Sequence, residues 1–143
     1  MDFNLLTRWQ PQLLALLRIV TALVFMEHGT AKLFHFPVAQ PGAPDPLPTM
    51  LLAAALIELV CGALITLGLF TRLAAFIAAG EMAVAYFIAH IPRGGWMPIM
   101  NGGEITVALC FGFLYIATRG GGPFSVDALL GTSEEAKSTG RFR

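Results

Sequence analysis

Each of four long apolar stretches in the sequence carries one glutamate. These residues are Glu27, Glu58, Glu81 and Glu104. A carboxylate inside hydrocarbon is costly, so such residues usually have a paired charge, a water-filled cavity or a proton pathway. Three basic residues accompany the glutamates within or at the ends of the same stretches: Arg18, Lys32 and Arg72. The chemistry that these types suggest is ion pairing, proton exchange or binding of a polar headgroup.

The histidines and cysteines give weaker signals. His28, His35 and His90 are isolated from one another, and the neighbours Glu27 and His28 point about 100° apart on a helix, so no metal-ligand spacing is present. Cys61 and Cys110 form no C-x-x-C pair and lie deep in apolar runs, which is typical of core thiols. We therefore expect no metal site, and the sequence has no haem-attachment or iron–sulfur motif.

The composition indicates a membrane protein. The chain has 143 residues, of which 56% are hydrophobic and 13% charged, with no net charge. Soluble domains are about 45–50% apolar and about 25% charged. This excludes a globule with a hydrophilic shell, and the balanced charge offers no basic face for nucleic acid.

The elements that must position the charged residues are helices. A bilayer core of about 30 Å needs about 20 apolar residues per helix. Four stretches qualify, at about residues 12–34, 49–70, 72–90 and 98–118, of which the last has the shortest apolar run. We expect an all-α membrane protein, an antiparallel bundle of four transmembrane helices. One membrane domain would cover residues 1–131, followed by a polar tail at 132–143.

The connections between these stretches also have clear signatures. Residues 35–48 contain five prolines and must lie outside the lipid, whereas residues 68–72 leave room only for a tight turn. Trp96, in the third connection, is placed like an interfacial anchor. Gly102-Gly103 is better interpreted as the entrance of a helix than as a phosphate loop. Ser125 is a candidate cap for a short segment through Leu130.

The basic residues predict an orientation. Six of them fall on the side of the N-terminus, the second turn and the C-terminus: Arg8, Arg72, Arg119, Lys137, Arg141 and Arg143. The opposite side has Arg93, with Lys32 close to it. The positive-inside rule therefore predicts that both termini are cytoplasmic.

Helical phase, at about 100° per residue, indicates which residues of the first two helices share a face. One stripe of the first helix contains Arg18, Ala22, Phe25, Gly29 and Lys32. Glu27 lies roughly opposite Arg18 and is expected to face a partner, headgroups or water. On the second helix the face of Glu58 also contains Cys61, Gly62 and Ile65.

The same reasoning gives predicted stripes on the other two helices. On the third, Glu81 shares a face with Ala74, Ala78, Ala85 and Ile88. On the fourth, the stripe consists of Glu104, Ala108, Phe111 and Tyr115. If these faces form one interior, Lys32 meets Glu58 or Glu104, and Arg18 meets Tyr115.

Two interpretations of the charged residues stay open. In the first, they form a structural ion-pair network that fixes the register of apolar helices. In the second, they line a polar pocket open to the outer side, for a quinone headgroup or a small anion. Lys32 or Arg18 would then hold an anion, while Glu58, Glu81 or His90 would exchange protons.

Several short elements in a consistent order resemble the DoxX family. They are Arg18 with Gly29 and Lys32, Glu58-x-x-x-Gly62, Leu67-Gly68, Thr71-Arg72, Met82-x-x-Ala85, Glu104 and Phe124-Ser125-Val126-Asp127. The resemblance covers about residues 12–130. Of the charged residues, Arg18, Lys32, Glu58, Arg72 and Glu104 match recurrent family positions, whereas Glu27, His28 and His90 do not.

The resemblance implies a four-helix protein of the bacterial or archaeal inner membrane. The family takes its name from a small subunit of a thiosulfate:quinone oxidoreductase, and other members are linked to sulfur metabolism and oxidative-stress defence. The leading hypothesis is therefore a small membrane subunit of a redox system, catalytic or not, with its electron-transfer cofactors on a partner protein. The alternatives are a small-solute or proton carrier or channel, for which a homodimer would be large enough, and a non-catalytic membrane scaffold.

Overall fold

The computed structural model describes residues 4–131, and these contain helices and no strand. In chain order the helices are α1 (Asn4–Thr7), α2 (Gln10–Phe34), α3 (Thr49–Leu67), α4 (Thr71–Ala85), a π-helix (Tyr86–His90), α5 (Ile91–Gly94), α6 (Pro98–Asn101), α7 (Glu104–Arg119) and α8 (Val126–Leu129). The predicted tail at 132–143, with Lys137, Arg141 and Arg143, lies outside the described residues.

Three helical stretches are long and apolar enough to cross a membrane: Gln10–Phe34, Thr49–Leu67 and Thr71–Gly94. They overlap the first three predicted spans, at 12–34, 49–70 and 72–90. The fourth predicted span falls on α7, which has 16 residues. At about 1.5 Å per residue, α7 is shorter than a hydrocarbon core of about 30 Å.

The third span extends further than the sequence predicts. It was expected to end at His90, but helix continues through the π-helix and Pro92 to Gly94. Proline lacks an N–H and its ring clashes with the carbonyl four residues earlier in an α-helix. The wider π turn, closed by the N–H of Ile91 and the carbonyl of Tyr86, ends just before Pro92. Pro92 therefore lies in the first turn of a new α segment, where it is tolerated.

The fourth predicted helix is divided into α6 and α7. Gly102 has φ 69°, a left-handed conformation that ends α6, and Gly103 precedes the first residue of α7. The interpretation of Gly102-Gly103 as a helix entrance is thus confirmed, whereas the predicted continuous helix from residue 98 is wrong.

Glycines allow α2 and α3 to pack closely. A Cβ added at Gly29 would lie 2.9 Å from both the carbonyl oxygen of Ala55 and Cγ of Leu59. At Gly62 it would collide with the side chain of Met26. Small residues of this kind let helix backbones approach each other in membrane proteins.

The turn between α3 and α4 is as short as predicted. Gly68 has φ 73° and its N–H bonds the carbonyl of Ile65, while the N–H of Leu69 bonds that of Leu64 at 2.9 Å. This Schellman arrangement satisfies the last carbonyls of α3. The chain then reverses, so α3 and α4 are direct neighbours in space.

The core lies where α2, α3, α4 and α7 meet. The rings of Phe25 and Phe113 pack edge to face with centroids 5.0 Å apart, and Ile65 and Ile116 are fully buried beside them. The α4 face of this core is built of alanines, which bring α7 close. Many other large apolar side chains are exposed on the outside of these helices, which fits a lipid bilayer environment.

Candidate functional site

A cavity of about 680 Å³ opens between α2, α3, α4 and the π-helix, at the end of the molecule away from the α3–α4 turn. Most of its lining is apolar. The side chains in the lining that can carry a charge are His28, Lys32, Glu58, Glu81, His90 and Arg93. Three of the five leading sequence candidates, Lys32, Glu58 and Glu81, are thus brought together here.

Lys32 and Glu58 form a buried ion pair in the wall of this cavity. The Nζ of Lys32 donates a hydrogen bond to Oε1 of Glu58, and the side chains are only 7% and 2% exposed. Gly29, one turn before Lys32, is close to Cβ of Glu58 and so permits the approach. The predicted contact of Lys32 with Glu58 is therefore present.

The second oxygen of Glu58 has no donor. Its Oε2 is buried and accepts no hydrogen bond from the described part of the chain. The Oε2 of Glu81, a residue of α4 that also lines the cavity, is in the same condition. Buried polar atoms without partners are rare and costly, and here two of them belong to carboxyl groups of residues that line the cavity.

The predicted place of Glu104 in the interior is wrong. Glu104 is exposed and is absent from the cavity lining, and the rest of its predicted stripe, Ala108, Phe111 and Tyr115, is exposed too. The buried face of α7 consists of Thr106, Leu109, Phe113 and Ile116. Because α7 is apolar on nearly all sides, the sequence offers only the glutamate to mark an inner face, but packing selects the face with Phe113.

The residues of the first helix lie as predicted. Arg18, Ala22, Phe25, Gly29 and Lys32 are all buried. Glu27 is exposed, on the opposite side from this stripe, whereas the neighbouring His28 is half-buried and lines the cavity. Glu27 is thus outside the site.

His90 joins the cavity to a polar network beyond it. Its Nδ1 lies 3.2 Å from the carbonyl oxygen of Asn101, and its Nε2 lies 3.1 Å from the hydroxyl of Thr106. A carbonyl can only accept, so Nδ1 carries a proton, and in the neutral ring Nε2 accepts from Thr106. His90 is therefore held in one tautomer at the edge of the cavity.

Asn101 is a structural residue that sequence analysis missed. Its amide nitrogen donates to the carbonyl of Gly95 at 2.7 Å, and its Oδ1 accepts from the N–H of Gly103 at 2.8 Å. The sequence signal was an asparagine just before Gly102-Gly103, since asparagine side chains often bond the backbone two residues on.

The predicted pairing of Arg18 with Tyr115 is wrong. The Arg18 guanidinium donates to three backbone carbonyls, those of Ile65, Thr66 (2.6 Å) and Phe124 (2.7 Å), while Tyr115 is 52% exposed. Arg18 thus ties the end of α3 to the segment before α8, far from the cavity. With these bonds made, the hypothesis that Arg18 holds an anion loses its basis.

The segment after α7 is fixed by residues at the same end of the molecule. Ser125 caps α8 by accepting from the N–H of Ala128 at 3.2 Å, as predicted. Asp127, which sequence analysis did not select as a site residue, accepts from the N–H groups of Phe70 and Thr71, each at 2.9 Å. Arg72 donates to the carbonyl of Thr118 at 2.5 Å. Arg72 therefore belongs to this structural junction and not to the cavity.

Metal-ligating side chains do not cluster within residues 4–131, where no group of three or more His, Cys, Asp or Glu could hold an ion. Cys61 and Cys110 are free thiols.

The fold and the cavity define a small helical membrane protein with a buried ion pair in the wall of a largely apolar cavity. The sequence profile of the DoxX family matches residues 13–91, more than half of the chain. The chain therefore belongs to the DoxX family, and the resemblance inferred from the sequence is confirmed. An uncharacterized protein from Haemophilus influenzae is 45% identical over 127 residues, which cover 87% of this chain and 95% of the relative. No solved structure matches the chain.

Proposed function

We propose that this DoxX-family membrane protein is a small subunit of a membrane redox system and binds a quinone headgroup in the cavity beside Lys32 and Glu58. The observation that carries the proposal is the buried ion pair in the cavity wall, with the oxygens of Glu58 and Glu81 that have no donor. A mostly apolar cavity with a few convergent polar groups suits a quinone, because a quinone has a polar ring and an apolar tail.

The cavity has a suitable size and lining. Its volume of about 680 Å³ falls within the range of about 300–1,000 Å³ typical of small-molecule sites. Ile57, Ile77 and Val84 contribute apolar surface against which a ring can pack. In this proposal Lys32 and Glu58 orient the headgroup, Glu81 exchanges its protons, and a partner protein carries the electron-transfer cofactors.

The charges of the cavity argue against a small anion, including a sulfur oxyanion. Lys32 is already paired with Glu58, and Glu81 adds a second carboxyl group. An anion would have to approach these two carboxyl groups, and Lys32, the basic side chain bonded to one of them, is already paired. We therefore favour the quinone over the anion.

The membrane arrangement that we propose is an antiparallel bundle of four transmembrane helices, with α7 as the fourth, forming one domain over residues 1–131. Arg72 and Arg119 line a second cavity near the start of α2, at the opposite end from Arg93. The positive-inside rule then supports cytoplasmic termini in a bacterial or archaeal inner membrane, with the Lys32–Glu58 cavity towards the outer side.

A proton or solute carrier is the second candidate, favoured by the ionisable groups that share one cavity. It would need a route through the other half of the molecule, where Phe25, Ile65 and Phe113 are fully buried. A homodimer could supply such a route at an interface. A non-catalytic scaffold, finally, would need no ligand at all.

The test is to purify the full chain in nanodiscs of its host lipids and to analyse the lipid extract for quinones. We expect co-purified quinone, and a rise in melting temperature when quinone is added to depleted protein. The double variant Lys32→Met with Glu58→Gln should lose both effects, whereas Glu27→Gln, an exposed carboxylate on the same helix as Lys32, should keep them.

An extract without quinone, together with an unchanged melting temperature, would overturn the proposal. Proton or solute flux into sealed vesicles without an electron donor would instead favour the carrier. A scaffold would leave cellular redox phenotypes intact in the double variant.

A further inference from the structure

The hydrogen-bonding state of Glu58 bears on which redox form of a quinone the cavity would bind more tightly. Glu58 is 1% exposed, its Oε1 accepts from Lys32, and its Oε2 is buried without a donor. As the partner of Lys32 it is a carboxylate, which can only accept hydrogen bonds. Whatever lies against Oε2 must therefore bring a hydrogen-bond donor.

A hydroxyl group satisfies this pair and a carbonyl does not. Lys32 has three N–H donors, of which one is used by Glu58 Oε1. A hydroxyl can accept from Lys32 and at the same time donate to Glu58 Oε2. The carbonyl oxygen of an oxidised quinone can accept from Lys32 but leaves Glu58 Oε2 without a donor, and adds a second lone-pair oxygen next to it.

We infer that the cavity selects the hydroquinone over the quinone. The inference rests on the proposed function and states which form of the ligand the site holds. Glu81 Oε2 in the lining of the same cavity is likewise buried without a hydrogen-bond partner, and a hydroxyl group can bond it whether the carboxyl group is ionised or protonated. A hydroquinone has two hydroxyl donors, whereas the oxidised ring has none.

The size of the preference follows from one hydrogen bond to a charged group, which corresponds to about tenfold or more in affinity. Tighter binding of the reduced form raises the midpoint potential of the bound couple. For a two-electron couple each tenfold preference corresponds to about 30 mV. The site would therefore favour reduction of the bound quinone and retention of the product.

The experiment uses the full chain in quinone-free nanodiscs, with decylubiquinone and decylubiquinol as probes. Dissociation constants are measured for both at equal mole fraction in the lipid, under anaerobic conditions for the reduced form. We expect decylubiquinol to bind about tenfold more tightly or better. The double variant Lys32→Met with Glu58→Gln should bring the ratio close to one, and Glu27→Gln should leave it unchanged.

The double variant replaces both charges together, so it avoids an unpaired buried charge. If it does not fold, Glu81→Gln provides the second measurement and should lower the ratio while retaining binding. Equal affinity for the two probes, or tighter binding of decylubiquinone, would overturn the preference and leave quinone binding intact. Binding of neither probe would overturn both.

Discussion

Asp127 caps the helix that begins at Thr71, 56 residues earlier in the chain. One carboxylate oxygen accepts from the N–H and the hydroxyl of Thr71, at 2.9 and 2.7 Å, and the other accepts from the N–H of Phe70. The N–H of Asp127 in turn bonds the carbonyl of Gly68 at 2.8 Å. A residue near the end of the described chain thus satisfies the free donors at the start of α4, where negative charge is also favoured.

Loss of this cap should destabilise the protein. We expect Asp127→Ala to lower the free energy of unfolding by about 1–2 kcal/mol, with a smaller loss for Asp127→Asn, whose side-chain oxygen still accepts. The measurement is reversible unfolding in mixed detergent micelles. Asp45→Ala, at an exposed position in the proline-rich loop, is the matched control. Equal stability of the two alanine variants would contradict the capping role.

Removal of the Arg18 guanidinium should have a larger effect. Arg18→Met removes the side-chain donor from the carbonyls of Ile65, Thr66 and Phe124, of which Ile65 still accepts from the N–H of Gly68, and we expect a loss of more than about 3 kcal/mol. The segment 120–131 should then be cleaved faster in limited proteolysis. Arg8→Met, at an exposed arginine, should change neither quantity. An unchanged cleavage rate in Arg18→Met would show that this side chain does not hold the segment.

The Lys32–Glu58 pair should show strong coupling in a double-mutant cycle. Lys32→Met or Glu58→Gln alone leaves one buried charge uncompensated, at a cost of about 3–5 kcal/mol. The double variant should recover a large part of that loss, because neither charge remains. Unfolding free energies of the four proteins give the coupling. Additive losses would mean that the two side chains do not interact.

Substitution by alanine should have different effects on stability at two glycines inside helices. Gly29→Ala should destabilise the protein, since the new Cβ would lie 2.9 Å from a backbone oxygen of α3 that cannot move aside. Gly80→Ala, in α4, meets no atom within 4 Å and should be neutral or stabilising by up to about 1 kcal/mol. Melting temperatures of the two variants in one detergent test this. A stable Gly29→Ala would show that α2 and α3 are less closely packed than the structure has them.

The sequence was sufficient to predict the inner faces of α2 and α3. Arg18 and Lys32 on one helix, and Glu58 on the next, are charges that must avoid lipid, so they determine which side of each helix is buried. The same helices carry Gly29 and Gly62, which mark the close contact. Three helical stretches with the lengths of membrane spans followed from the apolar runs alone.

The face of α7 could not be predicted in this way. Phe111 and Phe113 are equally apolar, yet one is 67% exposed and the other fully buried. In a bilayer both lipid and core favour apolar residues, so hydrophobicity does not separate them. Glu104 was misleading because it lies at the helix start, where a charge reaches solvent without being buried.

Asn101 and Asp127 were missed for a different reason. The partners of both are mainly backbone groups: those of Asn101 are local and carry only the weak signal of an asparagine before two glycines, whereas those of Asp127 are distant in the chain. Only the fold brings Asp127 to its partners. The Phe124-Ser125-Val126-Asp127 element was recognised as a family feature, but its contacts with Gly68 and Thr71 became evident from the structure.

The π-helix at Tyr86–His90 changes the angle around the helix axis between residues that precede and follow it in the third span. Glu81 and His90 are nine residues apart, which in an uninterrupted α-helix places them about 180° apart, on opposite sides. One five-residue turn takes up an extra residue, so the two side chains are related as if they were eight apart, at about 80°. Both can then line the same cavity. Deletion of a single residue in this turn would restore a regular helix with the two side chains eight residues apart, so the histidine would still face the cavity.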